Sequence, residues 1–213
     1  MSVEFQPSFY TKSREKRAID IAMAAILLPF AIPAMGVIGL AIKMEGAGSI
    51  IFTQERVGKD GKLFKIHKLR TIGYNGERTR IGKTVRPLGL DELPQLFSII
   101  KGEMSAFGIR AMSVEDFEYT CNLHLTEPEI FSEELITRWK EAYLSSRPGG
   151  VSLAASQAPS VLNRGYANSA GLKQKLEYDI SHVENESFQM DLEILDNIIH
   201  RAFEQPQNIA FMK

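Results

Sequence analysis

The strongest pattern along the chain is a run of 22 residues, 21–42, that carries no charge. A straight helix of that length rises about 33 Å, close to the hydrocarbon thickness of a bilayer. The run is too long and too uniform for an ordinary amphipathic helix. It starts well inside the chain, and no small-residue cleavage site sets off a separate mature domain, which argues against a cleaved leader. Pro29 and Pro33 lie in its middle. Each removes a backbone donor and crowds the preceding turn, so a kink or break is expected there. Both flanks are basic: Lys12, Arg14, Lys16 and Arg17 precede the run, and Lys43, Arg56, Lys59, Lys62 and Lys65 follow it. Positive residues favour the cytoplasmic side, and a straight span would leave one basic end outside. The pattern therefore predicts a re-entrant helical hairpin in one leaflet, turned at Pro29 and Pro33. Asp20 would sit near the headgroups, and the freed backbone groups would find partners within the protein. A single-pass anchor and a buried helix of a soluble protein are the competing readings.

Beyond the run the periods shorten. Residues 49–53 read as a strand, and Lys59-Asp60-Gly61-Lys62 as a hairpin turn, because Asp-Gly tolerates positive φ. Leu63–Leu69 alternates apolar and polar residues, as a half-exposed strand does. Residues 75–80 are polar and loop-like. Residues 91–101 carry a helical pattern that stops at Gly102. Helices are predicted over residues 114–122, 132–144, 171–183 and 189–203, with a sharp turn at Arg147-Pro148-Gly149-Gly150. The sum is an α+β fold: a helix-rich small globular domain with a short sheet, anchored by the N-terminal membrane segment. Residues 1–45 would form the N-terminal and membrane part, and residues 46–213 a cytoplasmic catalytic domain.

Composition narrows the chemistry. At 213 residues with ordinary apolar content, the chain can build one core. The single cysteine, Cys121, excludes an internal disulfide, and the four histidines lack zinc spacing. No repeat or low-complexity tract is present. Net charge is near zero but unevenly placed: residues 43–86 hold eleven Lys/Arg against four Asp/Glu, and residues 111–139 hold seven Asp/Glu against one Arg. A basic block beside an apolar run suits anionic headgroups or substrate phosphates, although a solvated face would look the same.

Asp91 and Glu92 are adjacent carboxylates at a predicted helix start, after the basic residues Lys83 and Arg86. Carboxylates there commonly do no more than complement the helix dipole. A helix N-terminus also favours bound anions, and a carboxylate beside cations stays ionised and nucleophilic. Such a group can attack phosphorus once the phosphate oxygens are neutralised, and magnesium is the usual bridge between a carboxylate and a diphosphate.

Residues 16–110 resemble the bacterial sugar transferase family, the monotopic phosphoglycosyl transferases. The matching segments are Lys16-Arg17-Ala18-Ile19-Asp20, then Pro33, then Ile51-Phe52-Thr53-Gln54-Glu55-Arg56-Val57-Gly58. Phe64-Lys65-Ile66-His67-Lys68-Leu69-Arg70-Thr71 follows, and then Val85-Arg86-Pro87-Leu88-Gly89-Leu90-Asp91-Glu92-Leu93-Pro94-Gln95-Leu96. Lys101-Gly102-Glu103-Met104-Ser105 closes the series. Each is weak alone; their order and spacing together are specific. The likeness continues faintly through Arg147-Pro148-Gly149 and Leu176-Glu177-Tyr178-Asp179. The resemblance implies Asp91 as nucleophile on the β-phosphorus of a UDP-sugar, releasing UMP and forming a covalent phosphosugar intermediate that undecaprenyl phosphate then attacks. It implies Mg2+ held with Asp91 and Glu92, with Glu92 also able to handle protons. It further implies phosphate contacts from Arg86, Lys68, Arg70, Arg110 and Arg147. Ordinary surface charge is the competing reading for these cations, and a salt bridge within the fold is the competing reading for Asp179.

The pattern departs from the family at Gly108-Ile109-Arg110-Ala111, where both prolines of Gly-Pro-Arg-Pro are missing. It departs again after Gly150, where a Thr-Gly-Trp type sequence is replaced by Val151-Ser152-Leu153-Ala154-Ala155. Ile32 stands where a serine often precedes the membrane-run proline. These changes bear on substrate recognition more than on phosphoryl chemistry. They leave room for a catalytically weak membrane scaffold of a glycan-assembly complex. The basic block alone could suggest a nucleic-acid binder, but no aromatic-interleaved platform accompanies it. The expected partners are a UDP-sugar, undecaprenyl phosphate and the bilayer at the cytoplasmic face of the inner membrane, not nucleic acid. A homodimer is compatible with the sequence, without a heptad-like seam.

Overall fold

The computed structural model describes residues 5–46, 48–74, 76–152 and 168–204. Residues 153–155 of the altered segment after Gly150 lie outside them. The long first helix, α1, runs Arg14–Met44, with Ser13 accepting from the Lys16 amide at its start, Glu15 in its first turn and Lys43 in its last. It is long and apolar enough to cross a membrane. The break expected at the prolines is not seen as an interruption, because the helix continues through Pro29 and Pro33. The two missing donors loosen the ladder at the carbonyls of Ala25 and Pro29, while the bonds on either side persist.

One stripe of α1 is buried along its length: Lys16, Asp20, Ala24, Ala31, Ile38 and Ile42, at the four- and seven-residue spacing of a single helix face. Ala24 packs with Phe64, Ile66, Ile99, Met104 and Ala111. Ile38 and Ile42 pack with Leu69 and Val85. Both halves of the helix thus lie against one globular body. The other face shows Ile26, Phe30, Val37 and Leu40, each more than 60% exposed.

β1 (Ile51–Val57) and β2 (Leu63–Leu69) form an antiparallel hairpin, pairing Ile51 with Leu69 through Val57 with Leu63. Its turn holds Asp60 and Gly61 at φ 56° and 73°, the positive values that Asp-Gly was expected to take. β1 begins and ends later than the predicted strand, because Gln54, Glu55 and Arg56 fit an exposed strand as well as apolar residues do. α2 is Arg80–Val85. The predicted helix over 91–101 divides into a 3-10 turn, Leu90–Glu92, and α3, Gln95–Lys101. Pro94 separates them, since proline supplies no amide and disfavours helix at the residue before it. Gly102 ends α3 at φ 86°, as the pattern indicated.

β3 (Ser105–Phe107) pairs in parallel with β4 (Gly149–Val151), so the predicted turn at residues 147–150 runs into a strand. α4 (Val114–Cys121), α5 (Leu123–Thr126), α6 (Glu133–Ser145), α7 (Ser169–Asn185) and α8 (Phe188–Glu204) complete the chain. The largest core joins α6 and α7 around the fully buried Trp139, Phe131, Leu123 and Leu176. Tyr143 donates to Val57 O and accepts from the Met112 amide, both at 2.8 Å, tying α6 to the hairpin. Asp179 accepts from Lys175 Nζ at 2.6 Å and Trp139 Nε1 at 3.2 Å, which places it in a salt bridge inside the core.

The Lys16–Asp20 segment explains how α1 is fastened. Lys16 is 3% exposed and meets Asp191 at 2.7 Å, Glu186 at 3.0 Å and Asp20 at 3.8 Å. Asp20 accepts from Ser105 Oγ at 2.8 Å and the Ala106 amide at 2.9 Å on β3. Arg17 donates to the Ile99 and Ile100 carbonyls at the end of α3. Burial pushes the Glu186 carboxyl up, but His182, 3.6 Å away, and Lys16 outweigh it, and the group lies at about 2. Burial, only partly offset by Lys16, raises Asp191.

Lys16→Met keeps most of the volume but strands buried carboxylates, and is expected to cost about 3–5 kcal/mol of unfolding free energy. Denaturant unfolding in detergent checks this; a loss below about 1 kcal/mol would show that the cluster does not hold the helix. Glu186, with its lowered pKa, adds stability that is complete above the ordinary 4.5 and lost as the pH falls toward about 2. The raised Asp191 acts in the opposite sense. Glu186→Gln should therefore flatten the acid side of the stability curve within that window, measured by thermal midpoints between those pH values.

Candidate active site

The turn that carries the carboxylate pair is set by its backbone. Gly89 lies at φ 76°, where other side chains are strained, and its amide bonds back to the Arg86 carbonyl at the end of α2. The chain then makes the 3-10 turn Leu90–Glu92, which leaves Asp91 4% exposed. Asp91 is therefore not in the first turn of a long helix, as the pattern suggested. α3 is short and starts after Pro94, so positive potential at Asp91 comes from side chains rather than from a helix dipole.

A cavity of about 490 Å³ opens over this turn. It is lined by Asp91 and Glu92 and by six cations: Arg56, Lys68, Arg70, Arg78, Arg86 and Arg110. One face of β2 explains two of them. Phe64 and Ile66 point into the core, and the same alternation brings Lys68, and then Arg70 beyond the strand, to the cavity. Glu92 Oε1 accepts from Lys68 Nζ and from Arg110 Nη2, each at 2.9 Å. Burial pulls the Lys68 ammonium below its ordinary range; Glu92 opposes this and Arg110 adds to it. Arg70 donates to Ser49 O at 2.8 Å and lies over the Tyr74 ring.

The structure thus brings Asp91, Glu92, Arg86, Lys68, Arg70 and Arg110 together. It does not bring Arg147 to this cavity. Arg147 donates to the Gly102 carbonyl at 3.0 Å, closing the end of α3, and lines a separate small cavity with Lys16 and His182. Pro29 and Pro33 stay within α1, away from the carboxylates' cavity lining. Gln54, Arg56, Thr71 and Arg78 were missed as lining residues. Gln54 and Arg56 share the two-residue alternation of Phe52, which could have found them; nothing local marks Arg78.

A second cavity, about 580 Å³ and mostly apolar, lies between α1 and the turn. Met23, Leu27, Phe30 and Ala31 of α1 face Leu90, Leu93 and Leu96 across it. Glu92 and Arg110 line both cavities.

Among the described residues no group of three or more His, Cys, Asp or Glu could hold a metal ion. An all-protein site is therefore not offered. Two adjacent carboxylates in a cation-lined cavity of this size do suit magnesium, which takes one or two carboxylates and completes its shell with phosphate oxygens and water.

A buried aspartate under a cation-lined cavity, beside a helix of membrane length, defines a site for anionic substrates in a membrane-associated protein. Residues 11–205 match the bacterial sugar transferase family, and the chain belongs to it. A Bacillus subtilis (strain 168) protein is 44% identical over 108 residues, 45% of this chain and 60% of its own length. It bears, as a provisional assignment, the name undecaprenyl-phosphate N-acetylgalactosaminyl 1-phosphate transferase. The UDP-glucose:undecaprenyl-phosphate glucose-1-phosphate transferase of Caulobacter vibrioides is 30% identical over 193 residues, 84% of this chain and 66% of that one. The exopolysaccharide production protein ExoY of Sinorhizobium fredii is 29% identical over 208 residues, covering 84% of this chain and 81% of that one. The chain spans less than two thirds of the length of the first two.

Gly82 of α2 packs behind Thr71 of the cavity wall, where an added Cβ would collide with the Thr71 carbonyl. Gly82→Ala is expected to push residues 71–73 outward and to cost about 1–3 kcal/mol. Thermal unfolding checks the cost, and an unchanged midpoint would show that this wall gives way freely.

Proposed function

We propose that the chain transfers a sugar-1-phosphate from a UDP-sugar to undecaprenyl phosphate at the cytoplasmic face of the inner membrane, through a covalent aspartyl intermediate. The observation that carries the reading is the meeting of the two cavities at Glu92 and Arg110. A polar, cationic chamber suits a nucleotide diphosphate, and an apolar one against α1 suits the first units of a polyprenyl chain. The names of the relatives point to the same pair of substrates.

In the proposed first step an Asp91 carboxylate oxygen attacks the β-phosphorus. The bond from that phosphorus to the bridging oxygen breaks, and its electron pair leaves with UMP. In the second, a phosphate oxygen of the polyprenyl phosphate attacks the same phosphorus and Asp91 is released as carboxylate. Arg86, Lys68 and Arg110 would hold phosphoryl oxygens in line, with Glu92 fixing the last two cations. Magnesium, held by Asp91 or Glu92 with donor oxygens, would supply further neutralisation of the diphosphate. The scaffold alternative gains nothing from the altered segment: Ile109 and Ala111 are buried in the core, and Arg110 between them still reaches Glu92.

Burial of one α1 stripe against the same body at both ends supports a helix lying within one leaflet rather than crossing.

Asp91→Asn is expected to lower UMP release from a panel of UDP-sugars by at least about 10³-fold while the thermal midpoint stays near that of the parent. It should also remove a phosphosugar mass adduct seen on the parent with donor alone. Turnover within tenfold of the parent would overturn the nucleophile assignment. Cysteines placed before residue 21 and after residue 42 should label from the same side of sealed vesicles; labelling from opposite sides would establish a crossing helix.

A further inference from the structure

Four of the six cavity cations are already committed to the protein. Lys68 and Arg110 bind Glu92. Arg56 donates to Gln54 Oε1 at 2.6 Å and Ala111 O at 3.1 Å. Arg70 is held by Ser49 O and Tyr74. Among the described residues, the guanidiniums of Arg78 and Arg86 make no hydrogen bond or ion pair. Arg86 belongs to the turn that carries Asp91. Arg78 comes from a different element, the strand-like pairing of Ile72 with Arg78. That pairing is fixed at its base: the Thr79 amide bonds to Thr71 O at 3.1 Å, Thr79 Oγ1 accepts from the Gly82 amide, and Glu45 accepts from the Arg80 and Ile81 amides.

Two uncommitted guanidiniums on separate walls of one cavity match a ligand with two separate phosphates. Arg86, beside the nucleophile, is placed for the phosphate under attack. We infer that Arg78 binds the other phosphate of the donor, the one that departs on the nucleotide, so that the segment after Thr71 is a donor-recognition element. The inference rests on the proposed function, because it takes the donor to be a uridine diphosphate sugar.

UMP carries only that nucleotide-side phosphate, and uridine carries none, so their binding separates a phosphate contact from a general effect on the cavity. Binding is measured by calorimetry on the full chain in detergent for the parent, Arg78→Ala and Arg78→Lys. The parent should bind UMP more tightly than uridine. Arg78→Ala should weaken UMP by roughly ten- to a hundredfold and leave uridine unchanged, and Arg78→Lys should recover part of the loss. Equal UMP affinity in the parent and Arg78→Ala would overturn the inference. So would a parallel loss of uridine binding, which would mean that Arg78 shapes the wall. A parent that shows no preference for UMP over uridine would instead bring down the uridine-donor reading and this inference with it. Arg78 is exposed and without a partner among the described residues, so the substitution should leave the thermal midpoint in place.

Discussion

The buried ammonium of Lys16 is the contact on which the remaining architecture depends. An apolar helix more than thirty residues long has no intrinsic reason to keep one rotation or one depth against a small domain. Apolar faces slide, and the hydrophobic effect is non-directional. Lys16, Asp20 and Arg17 remove that freedom with directional bonds to three different places: α7 and α8, β3, and the end of α3. Each carboxylate around Lys16 would be costly to bury alone, so the group is stable only when all its parts are assembled. Fixing the base of α1 fixes which residues face the Asp91 turn. Met23, Leu27, Phe30 and Ala31 then line a cavity instead of filling it.

The same economy operates at the carboxylate pair. Adjacent Asp and Glu in one 3-10 turn must point in different directions, and the structure uses the difference. Glu92 takes Lys68 from β2 and Arg110 from the segment after β3 and holds them at one oxygen. Asp91 is buried under the cavity floor by the left-handed Gly89 and the stop at Pro94. Under the proposed reaction, a carboxylate acting as nucleophile would gain from being held in one place by backbone geometry, because positioning contributes more than intrinsic reactivity for so weak a nucleophile.

Much of this was legible in the sequence, for identifiable reasons. The uncharged run, the Asp-Gly turn and the Gly102 stop are local signals, and each corresponds to a feature of the fold. The residues of the Lys16–Asp20 motif could be picked out, but not their partners, because Glu186 and Asp191 are some 170 residues away and no local rule links them. The division of the 91–101 helix was written in Pro94, and the apolar period hid it. Arg147 was grouped with the site because it opens the Arg147-Pro148-Gly149 segment of the resemblance, whereas tertiary placement gives its Nε to Gly102. Gln54 and Arg56 were recoverable from strand alternation once β1 was allowed to extend to Val57. Arg78 lies in a polar segment without a period, and only the pairing with Ile72 brings it to the cavity.

The two proposed substrates, of opposite solubility, impose a geometric problem that a single pocket does not solve. A chamber polar enough for a diphosphate repels a polyprenyl chain, and an apolar one strips phosphates of water without return. The arrangement here separates the two environments and lets them touch at one ion pair. Arg110 and Glu92 face the cations on one side and Leu93, Leu96 and the α1 side chains on the other. Under the proposed reaction the phosphoryl group need not travel between sites. It stays over Asp91 while the nucleotide leaves by the polar side and the lipid phosphate arrives by the apolar side. The basic residues that surround that point would then serve both halves of the reaction, and α1 would be part of the active-site wall as well as an anchor.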